Sequence, residues 1–171
     1  NVVIVHGGGP EINKLLNQIG KKSEFADGLR ITDAETMEIV QMVLAGKISK
    51  DIVGYIQGNG LKAVGICGKD GNLLQVKKMQ SGGVDVGFVG EIVNVDTTII
   101  DTLLEKDFIP VISPIGADEQ GNSYNINADN AAVAIAGALK AQRLVFLTDV
   151  EGVMRDINDK SSLISLLKVS D

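Results

Sequence analysis

The sequence predicts an α/β protein: a three-layer αβα sandwich with a mainly parallel central sheet and a small β-hairpin lobe. Three observations carry this prediction. β-branched runs alternate with helix-periodic segments, the order that builds a parallel sheet covered by helices. Glycine-rich junctions fall where strand patterns give way to helical ones. A content of 44% hydrophobic residues with 20 glycines among 171 residues suits one core crossed by many tight turns. Aromatic residues are only 4% and Trp is absent, so Val, Ile, Leu and Ala must fill that core. Residues 1–171 read as a single domain, with no repeat, low-complexity tract or long linker.

Residues 2–5 form a continuous β-branched run, the pattern of a parallel strand buried on both faces. His6-Gly7-Gly8-Gly9-Pro10 ends it. An amphipathic helix follows, with Ile12, Leu15, Leu16 and Ile19 on one side. A polar loop runs through residues 27–33, and Thr32 or Asp33 caps a longer helix containing Met37, Val40, Val43 and Leu44. Gly46 interrupts that helix, and Ile48, Ile52 and Ile56 indicate that it resumes. Residues 61–66 read as a strand. Residues 68–96 change to short alternating segments around glycines, a hairpin or small lobe laid across the main sheet. A helix near 97–106, a strand at 108–113 and a hairpin turning at 119–122 come next. A helix from 128 to 139 and a strand at 143–148 complete the pattern, and residues 149–153 leave that strand as a loop.

The formal net charge of −6 and pI near 4.8 argue against nucleic acid as a partner, which needs a basic footprint. Lys77 and Lys78 are merely adjacent. A small anion is compatible with an acidic chain, because local donors can bind it. Cys67 is the single cysteine, so no internal disulfide is possible and a reducing compartment is expected. No apolar run approaches membrane-spanning length and no signal-peptide pattern is present, so no membrane partner and a cytoplasmic location are expected. The chain opens on Asn1 directly into a strand and stops at Asp171 after an apolar stretch; both ends read as cut.

Two groups of residues suggest chemistry. Gly7, Gly8 and Gly9 stand at the C-terminal end of a strand and just before a helix, the edge where open α/β sheets bind ligands. Helix-start N–H groups there suit phosphoryl or other anionic oxygens, and Pro10 suits the first turn. A tight strand-to-helix turn is the plain alternative. The motif is neither the dinucleotide fingerprint nor a P-loop, and the lipase oxyanion loop needs a Gly-x-Ser-x-Gly nucleophile that is absent. In the second group, residues 125–130, Asn125 and Asn127 share a face if they lie in a strand and so converge on one ligand. Asp129 then falls in the first helical turn, a favourable place for an anion. The alternative is a capped helix, with Asn127 as N-cap and Asp129 complementing the dipole. Arg30 suits a carboxylate, against the plainer reading of a surface Arg paired with Asp27 or Asp33. His6, the only histidine, reads as structural. Asp149 ends a strand before a turn at Gly152, suitable for a nucleotide contact or for turn chemistry alone.

Three segments together resemble a known family. His-Gly-Gly-Gly-Pro (6–10), Asp-Gly-Leu-Arg-Ile-Thr (27–32) and Asn-Ile-Asn-Ala-Asp (125–129) occur in the order of the N-acetylglutamate kinases, within the amino acid kinase family. Val-Gly-Phe-Val-Gly-Glu-Ile (86–92) and Leu-Thr-Asp-Val-Glu-Gly-Val (147–153) look like that family too, so the resemblance covers essentially the whole chain. It implies phosphorylation of the γ-carboxylate of N-acetyl-L-glutamate by ATP, with Mg²⁺ carried by the nucleotide. Under the resemblance, Gly7 and Gly8 face the transferring phosphoryl group and the substrate carboxylate. Arg30 grips the α-carboxylate, Asn125 and Asn127 complete the amino acid pocket, and Asp129 orients the catalytic lysines. Asp149, Val150, Glu151, Gly152, Val153 and Met154 meet the nucleotide.

The family's phosphate-binding lysine, in a Lys-x-Gly-Gly motif, belongs before the segment that opens this chain. A second lysine belongs beyond the nucleotide loop. Lys47, Lys50, Lys69, Lys77 and Lys78 match neither motif, so these 171 residues alone are expected to be catalytically incompetent. The resemblance also implies a homodimer or higher homo-oligomer, with the helix from Asp33 to Gly58 as contact surface. A sister kinase acting on carbamate, aspartate, glutamate or UMP, and a non-catalytic N-acyl amino acid sensor, are the alternatives.

Overall fold

The computed structural model describes residues 1–80, 83–148, 150, 152–156 and 158–166. In chain order its elements begin with β1 (Ile4–Val5), α1 (Gly9–Gln18), β2 (Phe25–Ala26), β3 (Leu29–Arg30) and α2 (Ala34–Gln41). A π-helical segment (Met42–Ile48) leads into α3 (Ser49–Gly58), followed by β4 (Ala63–Cys67), β5 (Leu74–Lys78) and β6 (Gly90–Val95). The remainder is α4 (Thr98–Glu105), β7 (Ile109–Ser113), β8 (Ile115–Ala117), β9 (Ser123–Asn125) and α5 (Ala128–Ala138), with short 3₁₀ turns at Asp70–Asn72 and Lys160–Ser162.

Three parallel strands in the order β1-β7-β4 form the central sheet. Alternation along the strands sends side chains to two layers. Ile66 and Ile112 pack with Ile100 of α4 and with Ala131 and Ile135 of α5. On the other face a Cβ at Gly65 would meet Ser49 and Val53 of α3. A second cluster joins α1 to α2 and the π segment through Ile12, Leu16, Met37, Val40, Val43 and Leu44. The α/β fold with a parallel central sheet is as expected. The expected small lobe is β5 and β6, antiparallel partners in a four-stranded sheet ordered β6-β5-β8-β9.

Four local expectations need correction. The first strand pairs only over Ile4–Val5, and both residues are half-buried because β1 lies at an edge of the sheet; the strand buried on both faces is β7. The loop at 27–33 opens as a hairpin, in which Asp27 (φ 50°) and Gly28 (φ 77°) make the turn that Asp-Gly favours. Gly46 does not interrupt the long helix, which widens into the π segment and continues as α3. Residues 143–148 form no strand. Their apolar side chains are uncovered, with Val145 71% and Leu147 95% exposed, and no described strand lies alongside to supply a hydrogen-bond ladder. Among the described residues no helix is long and apolar enough to cross a membrane.

Candidate functional site

A cavity of about 220 Å³ opens where β1 meets α1, between the β2–β3 hairpin and the entry to α5. Gly7, Gly8 and Gly9 line it with Arg30, Pro114, Asn125 and Asn127. The glycines are there for room as well as freedom. A Cβ on Gly8 would overlap Ile48 Cδ1 and stand 2.7 Å from Leu44 Cδ2, so the π segment presses directly on the glycine turn. On the α5 side, a Cβ on Gly7 would reach Ala128 Cβ at 3.4 Å. Gly8 is the N-cap of α1 and Pro10 follows in the first turn. The N–H groups of Gly7, Gly8 and Gly9 carry no hydrogen bond among the described residues. They are free donors at a positive helix end.

Arg30 is the charged member of this wall among the described residues, and it is only 7% exposed. Its Nη1 donates to Asn13 Oδ1 at 2.7 Å and to Ser23 Oγ at 2.6 Å, and its Nη2 donates to the Gly9 carbonyl at 3.3 Å. The guanidinium stacks on the Phe25 ring, 4.8 Å from its centroid. All of these partners are neutral. The alternative of a surface Arg paired with Asp27 or Asp33 fails: Arg30 has no ion pair among the described residues, and Asp33 is taken by Lys21 at 2.7 Å while capping α2. Burial without a counter-charge lowers the pKa of Arg30, yet an arginine remains a cation at neutral pH. A buried cation held by neutral groups on a cavity wall attracts an anion.

Asn125 ends β9, and its side chain carries no hydrogen bond among the described residues. Asn127 is not in that strand. It is the N-cap of α5, where its Oδ1 accepts from the Asn130 N–H at 3.0 Å, so the capping alternative is correct for it. Capping occupies the oxygen and leaves its Nδ2 as a donor beside the cavity. Asp129 lies in the first turn of α5, exposed, one residue beyond the lining residue Ala128.

The structure therefore brings together Gly7, Gly8, Arg30, Asn125 and Asn127, and leaves Asp129 just outside the wall. Of the six residues expected at a nucleotide, Asp149 and Glu151 lie outside the described residues. Val150, Gly152, Val153 and Met154 do not line the cavity, and Met154 instead bridges to Leu163. Sequence reasoning missed Asn13, Ser23 and Phe25, the residues that hold the guanidinium. One signal was available for Asn13: it follows Gly9 by one helical turn, so the Gly9 carbonyl and the Asn13 amide share a face.

A larger cavity, about 490 Å³, lies along β5 and the turn between β8 and β9, and none of the predicted residues line it. Both of its lysines are already matched: Lys77 pairs with Glu91 at 3.2 Å and Lys78 with Asp85 at 2.8 Å. Asp118 accepts hydrogen bonds from Asn122 and Tyr124 within its own hairpin. The smaller cavity, with a buried cation and free N–H donors, is the better anion site.

The amino acid kinase family profile matches residues 1–171. The acetylglutamate kinase of Heliobacterium modesticaldum is 56% identical over 178 residues, an alignment covering 99% of this chain and 60% of that protein. Among solved structures, smu.665 from Streptococcus mutans UA159 superposes with a TM-score of 0.82 at 30% identity, covering 89% of this chain and 61% of that one. The N-acetylglutamate synthase of Neisseria gonorrhoeae, solved with coenzyme A and N-acetyl-glutamate, gives 0.77 at 26% identity over 90% of this chain and 35% of that one. The chain spans 60% of the length of the Heliobacterium modesticaldum relative.

Proposed function

Because this chain belongs to the amino acid kinase family, we propose that the whole protein is an acetylglutamate kinase, moving the γ-phosphoryl group of ATP to the γ-carboxylate of N-acetyl-L-glutamate in arginine biosynthesis. The observation that carries this reading is Arg30, a buried guanidinium bonded only to neutral acceptors on a wall shared with three free glycine N–H groups. N-acetyl-L-glutamate has two carboxylates and an amide. Arg30 takes the α-carboxylate, and the amide groups of Asn125 and Asn127 take the acyl amide. The γ-carboxylate and the incoming phosphoryl oxygens meet the N–H groups of Gly7 and Gly8. The likeness to relatives that bear the acetylglutamate kinase name supports the substrate, and so does the likeness to a synthase solved with N-acetyl-glutamate.

Phosphoryl transfer requires mainly positioning and charge stabilisation, and the residues present supply the acceptor half. Asp129, at the start of α5, is assigned to orienting the family's lysines, and residues 149–154 are assigned to the nucleotide. Mg²⁺ enters with the nucleotide's phosphates and supplies charge neutralisation there. The helix from α2 through α3, with Met42 and Tyr55 exposed, is assigned to self-association, and the location to the cytoplasm. A solution monomer at high concentration counts against that contact surface.

A second reading, a non-catalytic N-acyl amino acid sensor, is favoured by one observation: no lysine among the described residues lines the cavity. Calorimetric titration of this chain with N-acetyl-L-glutamate tests the shared acceptor site, with L-glutamate, L-aspartate and carbamate as competitors. Binding of N-acetyl-L-glutamate above the others is the expected result, and preference for a competitor points to a sister kinase. A coupled assay on the full-length protein separates kinase from sensor, since only the kinase consumes ATP in proportion to N-acetyl-L-glutamate.

A further inference from the structure

His6 is buried, and each of its ring nitrogens has one partner. Nδ1 lies 3.0 Å from the carbonyl oxygen of Gly7, and Nε2 lies 3.0 Å from Ser113 Oγ on the central strand β7. A carbonyl only accepts, so Nδ1 must carry the proton in that bond. Burial holds the His6 pKa below the ordinary histidine value, with the Gly7 carbonyl pulling weakly the other way, so the ring is neutral and has a single N–H. Nε2 is then an acceptor, and the Ser113 hydroxyl supplies its hydrogen. The Leu44 carbonyl, 3.2 Å from the same hydroxyl, is not left wanting, because the Ser49 N–H at the end of the π segment also reaches it.

The two polar atoms of a trans peptide unit point in opposite directions, and no described peptide bond is cis. Fixing the Gly7 carbonyl toward the His6 ring therefore turns the Gly8 N–H away from it. Gly7 and Gly8 line the cavity and His6 does not. A peptide between two glycines has little of its own to resist rotation, since neither residue has a Cβ. A flip would put a carbonyl oxygen where the N–H stands and replace an anion donor with an electron-rich acceptor.

We infer that His6 is a positioning residue for the anion site: through Nδ1 it holds the Gly7–Gly8 peptide so that the Gly8 N–H faces the cavity. The inference rests on the cavity being the acceptor site proposed above. It makes the histidine a functional part of the His-Gly-Gly-Gly turn, braced against β7 by Ser113.

Two substitutions separate this role from simple core packing. In His6→Asn the side-chain amide nitrogen stands near the place of Nδ1, which keeps the bond to Gly7 and loses Ser113. In His6→Gln the amide reaches toward the place of Nε2, which keeps Ser113 and loses Gly7. Calorimetry with N-acetyl-L-glutamate should find His6→Asn within about threefold of the parent and His6→Gln about tenfold weaker, the size of one lost hydrogen bond. The opposite ranking, or equal affinity for all three proteins, overturns the inference. Nitrogen-15 NMR of the parent supplies an independent arm, because the chain has a single histidine. A neutral Nδ1–H tautomer, with a Gly8 amide shift kept in His6→Asn and moved in His6→Gln, supports the role without any ligand. An Nε2–H tautomer overturns it. If the parent fails to bind N-acetyl-L-glutamate, the functional reading falls and the tautomer and Gly8 shift alone decide the inference.

Discussion

Gly8 has no room for a methyl group, because Ile48 and Leu44 occupy the space where its Cβ would stand. Leu147, which opens the family-like motif at 147–153, is a large apolar residue left 95% exposed. Both belong to family-like motifs that contain glycine, 6–10 and 147–153. They differ in what surrounds them. The turn at 7–9 is enclosed by α1, the π segment and the start of α5, and Arg30 closes its side. Residues 143–148 have no strand neighbour among the described residues. Packing around a motif is what can hold its donors in one direction, and of the two segments the turn at 7–9 is the packed one.

The largest expected effect sharpens this contrast. Arg30→Ala should weaken N-acetyl-L-glutamate binding by on the order of 10²-fold, since a carboxylate loses two charge-assisted hydrogen bonds. Calorimetry checks it, and affinity within threefold of the parent would show that the ligand bypasses the guanidinium. Gly8→Ala tests the enclosure itself. Forcing a methyl against Ile48 and Leu44 should cost about 1–3 kcal/mol in urea unfolding. A variant as stable as the parent would mean that the π segment yields at that point.

The site was only partly legible from sequence. Gly7, Gly8, Arg30, Asn125 and Asn127 do meet at one cavity, because strand ends and helix starts are local signals and the parallel topology gathers them at one edge. The burial of Arg30 was not legible. It depends on Asn13 from α1, on Ser23 just before the hairpin and on Phe25 within it, contacts that no local pattern encodes. The fold shows the same division. Apolar periodicity located the helices, whereas 143–148 read as a strand because an apolar run reveals propensity and not whether a partner lies beside it. The widening at Met42–Ile48 was also hidden, because a glycine in a helical pattern signals a break and a π turn equally well.

Smaller effects probe the enclosed side of the comparison. Burial lowers the pKa of His6, so the unfolded chain takes up a proton before the folded one does. Its contribution to stability is complete above the unfolded value near 6.5 and falls as pH drops below that value toward the lower folded pKa. Urea unfolding at pH 7.5 and 5.5 should therefore show a loss for the parent that is smaller in His6→Asn; equal losses would mean that the buried imidazole is not the group responsible. Asn127→Ala removes the α5 N-cap and should cost about 1 kcal/mol, read by thermal unfolding. Smallest of all, Leu147→Ser should change stability by less than about 0.5 kcal/mol, as expected for an exposed side chain. A larger loss would mean that residues 143–148 are covered in solution and would erase the contrast.

The π segment has a genetic consequence. An α-helix turns about 100° per residue, so inserting or deleting one residue rotates everything downstream by that angle. Through the widened turn, Leu44 and Ile48 lie against Gly8 while Ser49 and Val53, on the same rod, lie against Gly65. Deleting one residue between Met42 and Ile48 could restore regular winding only by spoiling one of those two alignments. The reading frame of this helix is thus locked at both ends, and its tolerance for indels should be lowest at the place where its hydrogen bonding is least regular.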